Sequence, residues 1–330
     1  HKGGYSAFAC NISGDVRHGQ SNEIVVKADN SARPDVIPVN HNLFGIYGGM
    51  YRPVSLIVAE PCHIAVTDCA GPGVYVRQQQ VSSKSTTVCV TTKTRNTTIE
   101  TTITDDKGNC VARVRKNLTL SPQGIQAHEA TMQLSKPHLW QGREDPYLYK
   151  VTVRILQNGK VTDESVQPLG LRNIEIKPGK GVWLNGKRYP MYGVTRHQDR
   201  WGKGSALSKA DHDEDLAMIM DVGATTIRLA HYQQSDYFYS RCDSLGLLVW
   251  AEIPFVNRVT GQEWDNAHTQ LRELIRQSYN HPSIYIWGLH NEVYTPHAYT
   301  ADLTSSLHEL AKQEDPDRLT ASVNGYGHAD

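Results

Sequence analysis

From residue 1 to about residue 172, apolar and polar positions alternate in short runs, which is the period of a half-buried strand. Glu23–Ala28, Val54–Ala59, Val74–Gln80, Ser85–Thr91, Thr97–Thr104 and Tyr149–Leu156 are rich in β-branched residues and read as strands. Turn formers punctuate them, as at Asp105-Asp106-Lys107-Gly108-Asn109 and Gln157-Asn158-Gly159-Lys160. The Asn-Gly pair between two apolar runs predicts a hairpin. After about residue 173 the period lengthens, and strands and helices alternate. Tyr189–Thr195, Thr225–Ala230, Leu247–Ile253, Ser283–Leu289 and Leu319–Asn324 read as strands. Lys209–Val222, Ser235–Leu245, Ala267–Tyr279 and Ala301–Gln313 read as the helices between them, with Gly246 placed to cap the second. This alternation specifies βαβ units on a parallel sheet.

Both an open doubly wound sheet and the start of a (β/α)8 barrel fit that count. No G-x-G-x-x-G follows any of the strands, so a dinucleotide fold has no support. Polar residues collect instead at the carboxyl ends of successive strands: Arg196, His197 and Asp199, then Arg228 and His231, then Glu252, then Asn291 and Glu292. A barrel brings those ends to one face, where its active sites lie. The barrel is the favoured reading.

Composition narrows the chemistry. The 330 residues are 39% hydrophobic and 21% charged, as in a folded globular chain of more than one domain. Thirty-four basic residues balance 34 acidic ones without a basic block, which removes electrostatic support for nucleic-acid binding. No apolar run reaches the length of a membrane span. The six cysteines form no C-x-x-C pair, so a structural zinc site is not expected. They read as reduced thiols acting as small hydrophobes, although a Cys62–Cys69 disulfide stays open.

The segment from Tyr279 to Glu292 is the most informative. Pro282 stops the preceding helix, an apolar strand containing Trp287 follows, and Asn291-Glu292 lands just beyond it. Glycoside cleavage needs a carboxylic acid at the leaving oxygen and afterwards a carboxylate to activate water. Glu292 on a rigid strand end, beside an amide for a sugar hydroxyl, suits that role.

This segment resembles the acid/base signature of glycoside hydrolase family 2, the family of β-galactosidases, β-glucuronidases and β-mannosidases. Trp183-Leu184-Asn185-Gly186-Lys187 through Gly193-Val194-Thr195-Arg196-His197 resembles the family's entry into its barrel. Thr225-Thr226-Ile227-Arg228-Leu229-Ala230-His231-Tyr232 is similar to its second signature, and Cys242 through Trp250 follows at the family's spacing. Ile46-Tyr47-Gly48-Gly49-Met50-Tyr51-Arg52 is similar to part of its jelly roll, and Pro137-His138-Leu139-Trp140 with Asp145-Pro146-Tyr147-Leu148-Tyr149 to its immunoglobulin-like sandwich. The resemblance implies the later half of a jelly-roll sugar-binding domain over 1–60, an immunoglobulin-like β-sandwich over 61–172, and the first five strands of a TIM-barrel catalytic domain over 173–330.

It also implies a retaining exo-β-glycosidase, with Glu292 as general acid/base and a glutamate nucleophile beyond residue 330. Details near Trp250-Ala251-Glu252-Ile253-Pro254 resemble β-galactosidases of Bacteroides type; β-glucuronidase, β-mannosidase or a non-catalytic carbohydrate-binding fragment are the alternatives. The implied substrate is a β-galactoside or related oligosaccharide. The implied substrate-binding residues are Asn291, His231, His197, Arg228, Asp199, Asp35 and Trp250, with Trp287 as a further stacking candidate. Structural roles compete: ion pairs for His231 and Arg228, a solvated loop for Asp199, barrel packing for the tryptophans. The family's metal-binding Glu-x-His is replaced by Val256-Asn257-Arg258, so no metal or other cofactor is expected. The Ser-His-Tyr-Pro usual in the second signature is here Ala230-His231-Tyr232-Gln233, which weakens the substrate assignment. Compartment stays open between bacterial periplasm and cytoplasm, and assembly stays open, a homo-oligomer included.

Overall fold

The computed structural model describes residues 1–39, 43–95, 98–118, 124–293, 298–323 and 329–330. Two antiparallel sheets make the first folded layer. Their strands are Val74–Gln79 (β1), Ser85–Thr94 (β2), Thr98–Thr104 (β3), Cys110–Asn117 (β4), Gln126–Ser135 (β5), Tyr149–Gln157 (β6) and Lys160–Leu169 (β7). One sheet has the order β1-β2-β5 and the other β4-β3-β6-β7. Alternate residues Val74, Val88, Val90, Ile99, Ile103, Val151, Val153 and Ile155 fill the space between them. Each such side chain taken from water contributes roughly 1.5–3 kcal/mol. The Asn-Gly hairpin forms as expected between β6 and β7, with Asn158 and Gly159 both at positive φ.

Three strands lie outside the runs read from the sequence: β4, β5 and β7 occupy sheet edges, and their exposed positions include Arg113, Lys116, Glu129, Gln133 and Glu164. The opposite correction applies near the N-terminus. Glu23–Ala28 and Val54–Ala59 pair with nothing and form no strand among the described residues. Composition favours a strand there, but a ladder requires a neighbour to take its N–H and C=O groups. Thr97 and Asn324, at the ends of two expected strands, lie outside the described residues.

A small antiparallel sheet of Ile174–Lys177 (β8), Gly181–Leu184 (β9) and Lys187–Arg188 (β10) leads into the second layer. There Gly193–Arg196 (β11), Thr226–Leu229 (β12), Leu248–Glu252 (β13), Ile284–Asn291 (β14) and Leu319–Val323 (β15) alternate with helices Lys209–Asp221 (α1), Asp236–Leu245 (α2), Trp264–Ser278 (α3) and Ala298–Glu314 (α4). The sheet is wholly parallel and runs β11-β12-β13-β14-β15. Ile227, Leu229, Val249, Ala251, Trp287 and Leu289 share one core with Leu216, Phe238, Leu274 and Leu307 from the four helices. Consecutive strand order with the helices packed on one face is the arrangement of a barrel wall. A doubly wound sheet would reverse its order and carry helices on both faces.

Local signals set the element ends. Ser208 caps α1 through the Asp211 N–H, and the Asp211 carboxylate returns to the Ser208 N–H. Gly246 ends α2 at φ 75°, where any side chain would strike the Gly142 carbonyl. No disulfide joins the described cysteines; Cys89 and Cys242 are buried, whereas Cys10 and Cys110 are exposed rather than acting as small hydrophobes.

The turn that launches β14 is held by charge. His281 Nδ1 lies 2.6 Å from Asp243 Oδ2 and its Nε2 lies 3.1 Å from Asp236 Oδ1, both carboxylates belonging to α2. Burial opposes a charged imidazole, but Asp243 and Asp236 outweigh it and raise the His281 pKa to about 10. Because the folded value exceeds the unfolded value near 6.5, this stabilisation is full below about pH 6.5 and is lost as pH rises toward 10. Thermal melts between pH 6.5 and 10 should therefore show a steeper fall for the unaltered protein than for His281→Gln. Equal slopes would show that the imidazole is not charged.

Candidate active site

Two-residue alternation decides which side chains enter the barrel. On β12, Ile227 and Leu229 pack against the helices and Arg228 points the other way; on β13, Val249 and Ala251 pack outward while Trp250 and Glu252 turn in. Arg196 obeys the same rule to opposite effect. It shares the face of Val194, so its guanidinium meets Asp215 and His212 of α1 and Gln234, away from the cluster its neighbour His197 joins. Trp287 also turns outward, where its Nε1 donates to Asp315 Oδ2 at 3.0 Å. It is core, not a surface for stacking a sugar.

Glu252 is the centre of the inward cluster. Its side chain is 1% exposed and binds two cation-forming groups. Arg228 Nε donates to Oε2 at 2.9 Å and Nη2 to Oε1 at 3.1 Å. His231 Nδ1 lies 2.5 Å from Oε1. Gly288 stands opposite Glu252 in the ladder, and a Cβ there would lie 2.4 Å from the Glu252 Cβ and 2.5 Å from Trp250 Nε1. Glycine at 288 is thus what allows the carboxylate to seat against β14. The Arg228 guanidinium carbon also lies 5.1 Å from the Trp250 ring centroid.

A register shift between Gly288 and His290 changes the phase of β14 at the critical point. Without it, Asn291 would share the outward face of Trp287 and Leu289. With it, Asn291 Oδ1 accepts from Arg228 Nη2 at 2.7 Å. Arginine can only donate, so the Asn291 oxygen must face it, and the amide NH2 is left to donate elsewhere. The Asn291 N–H and C=O bond to the Phe255 carbonyl and the Asn257 N–H at 2.8 and 3.0 Å. Next along the chain, the Glu292 N–H donates to the Val323 carbonyl at the end of β15, also at 2.8 Å. Glu292 is half-buried and holds φ at 53°, a left-handed conformation that costs a non-glycine residue on the order of 1–3 kcal/mol. The peptide between Asn291 and Glu292 is therefore held on one side by the loop after β13 and on the other by the end of β15.

Beside this cluster, the His197 ring lies 5.3 Å from that of His231. Burial, then His231, lowers the His197 pKa, and its buried Nδ1 has no partner among the described residues. Asp199 is exposed two residues on, and its charge opposes both effects on His197. Asp35 is the outlier among the expected residues. Its carboxylate binds Lys2 and Arg33, each at 2.8 Å, and it joins none of the cluster's bonds. The loop carrying it rests on α3 and the turn before it, with the Ile37 N–H on Asn266 Oδ1 and the Pro34 carbonyl accepting from the Thr260 hydroxyl.

Three further side chains at the site, Glu252, His290 and Phe44, are not among the residues expected to bind substrate. Glu252 was visible as a strand-end carboxylate, but its pairing depends on register. His290 is 1% exposed with neither ring nitrogen partnered among the described residues; burial lowers its pKa to about 4, with Glu252 opposing. Phe44, from the N-terminal zone, sits 5.8 Å from His197 and 6.2 Å from His231 by ring centroids. Among the described residues, no group of three acidic, histidine or cysteine side chains is arranged to hold a metal ion.

Comparison with known proteins accords with this geometry. The family model described as the TIM barrel domain of glycosyl hydrolases family 2 matches residues 174–329, and the one described as glycosyl hydrolases family 2 matches residues 72–172. A β-glucuronidase of Bacteroides fragilis is 38% identical over 98% of this chain and 48% of its own length. A crystal structure of a provisionally designated β-galactosidase from Bacteroides fragilis is 65% identical, with a TM-score of 0.97 over 99% of this chain and 50% of that one. β-Glucuronidase 2 of Bacteroides uniformis, bound covalently to cyclophellitol-6-carboxylate aziridine, is 32% identical with a TM-score of 0.83, over 89% of this chain and 38% of that one. The chain spans about half the length of the first two of these relatives. With both family models matched in order and the barrel wall formed by β11 to β15, the chain belongs to family 2 of the glycosyl hydrolases.

Proposed function

We propose that this chain carries the acid/base half of a retaining exo-β-glycosidase, most specifically a β-galactosidase, with Glu292 as the proton-transferring residue. The observation that carries the reading is the clamped, left-handed Glu292 at the carboxyl end of β14, beside an Asn291 amide whose oxygen is already committed. In this mechanism Glu292 protonates the glycosidic oxygen while a second carboxylate attacks the anomeric carbon. Glu292 then takes a proton from water as that water displaces the enzyme carboxylate. Retention requires the two carboxyl groups about 5–5.5 Å apart, and in this reading the nucleophile is a glutamate beyond residue 330. Asn291 donates to a sugar hydroxyl. His231, His197 and Asp199 border the sugar, and Arg228 and Glu252 act by holding Asn291 and His231. Trp250, half-buried beneath Arg228, lies on the inner wall. Asp35 belongs to this set only through the family resemblance.

Two observations favour a galactosyl over a glucuronosyl group. The 65% identical structure is provisionally designated a β-galactosidase, and the Arg228 guanidinium is committed to Glu252 and Asn291 rather than open to a sugar carboxylate. The 38% identical β-glucuronidase supports β-glucuronidase as the second reading.

In the full-length enzyme, Glu292→Gln should lower kcat on substrates with poor leaving groups on the order of 10²–10⁴-fold. Azide should partly restore turnover of activated substrates, and undiminished hydrolysis would end the assignment. A panel of nitrophenyl β-galactoside, β-glucuronide and β-mannoside assays tests the sugar. The highest kcat/KM is expected on the galactoside; preference for the glucuronide would install the second reading, and no hydrolysis at all would favour a carbohydrate-binding role. Glu252→Gln removes the counter-charge of the partly buried Arg228 guanidinium and should cost about 3–5 kcal/mol, read by denaturant unfolding. A loss below 1 kcal/mol would mean that the cluster tolerates an uncompensated Arg228.

A further inference from the structure

Arg52 is a half-buried cation that reaches from the N-terminal zone to the barrel. Its guanidinium carbon lies 5.9 Å from the Tyr51 ring centroid, and burial lowers its pKa. No carboxylate binds it among the described residues. Its N–H groups go to main-chain carbonyls: Nη1 to Tyr5 and Nη2 to Gln233, the latter at 2.9 Å, while buried Nε has no partner. Tyr5 belongs to the N-terminal zone; Gln233 lies two residues after His231.

The same junction is reinforced by rings. Tyr5 stacks on Tyr232 with centroids 4.3 Å apart, and Phe44 lies 5.0 Å from Tyr232. The Tyr232 hydroxyl accepts from the Gln198 N–H at 3.0 Å, which ties the loop after β12 to the one after β11. A partly buried charge without a counter-charge adds little stability that an apolar side chain of similar size would not. Packing alone would be served as well by methionine. Two directed bonds to main-chain carbonyls are what methionine could not supply.

We propose that Arg52 is a positioning residue of the active site, fixing the segment from Ala230 to Gln234 against the N-terminal zone and so setting where His231 meets the sugar. The role rests on the proposed function, and it makes the N-terminal zone a working part of the catalytic site. Misplacement of a substrate-contacting group by about 1 Å can cost on the order of 100-fold in rate.

The test is a double-mutant cycle in the full-length enzyme with the nitrophenyl glycoside it hydrolyses best. Arg52→Met should lower kcat/KM roughly 10- to 100-fold when His231 is present. Once His231→Ala has removed the positioned group, adding Arg52→Met should lower it less than twofold further. Equal fold losses in both backgrounds, or no loss in either, would overturn the role. If Arg52→Met fails to fold, Arg52→Lys provides the same cycle, because it keeps the charge but cannot span both carbonyls. Full activity in Glu292→Gln would remove the reading of the site itself. Inactive Glu292→Gln together with equal losses in the cycle would remove only the role of Arg52.

Discussion

The arrangement at the mouth of the barrel depends on one buried carboxylate. Glu252 holds Arg228 through both of its oxygens and His231 through one, and Arg228 in turn turns Asn291. Without the carboxylate, a guanidinium and an imidazole would face each other in a region of little solvent. With it, strands β12, β13 and β14 are joined by charge as well as by their ladders. The position is available because Gly288 has no side chain at the point of closest approach.

Around that centre the structure spends conformational freedom where chemistry would need precision. Asn291 is bonded through its main chain to the loop after β13 and Glu292 to the end of β15, so neighbouring strands locate both residues independently of their side chains. The left-handed backbone at Glu292 is a local cost that these bonds sustain. Below, the charged His281 ties the entry of β14 to α2. The strand is therefore held at its beginning and at its end, and its register shift has a fixed place between.

The N-terminal zone shows how fold and site intersect. It forms no ladder among the described residues, yet Tyr5, Phe44 and Arg52 reach the rings and carbonyls beside His197 and His231. Two apolar runs within it, around Ile24–Val26 and Val54–Val58, remain exposed. Contacts rather than regular structure connect this zone to the barrel.

Much of this was legible from residue order alone. The change from a two-residue period to alternating strand and helix located both layers, Asn158-Gly159 and Gly246 announced their turns, and the run ending in Asn291-Glu292 marked the candidate acid/base. These features are local, and local sterics or periodicity suffice to determine them. What the tertiary structure alone decided is which way residues face and what they meet. Alternation sent Arg196 and Trp287 outward, where helices supplied their partners, and a register shift sent Asn291 inward. Asp35 found Lys2 and Arg33, and Arg52 found Gln233 across 181 positions. Such pairings depend on strand register and on contacts between distant segments, neither of which the chain's local pattern encodes.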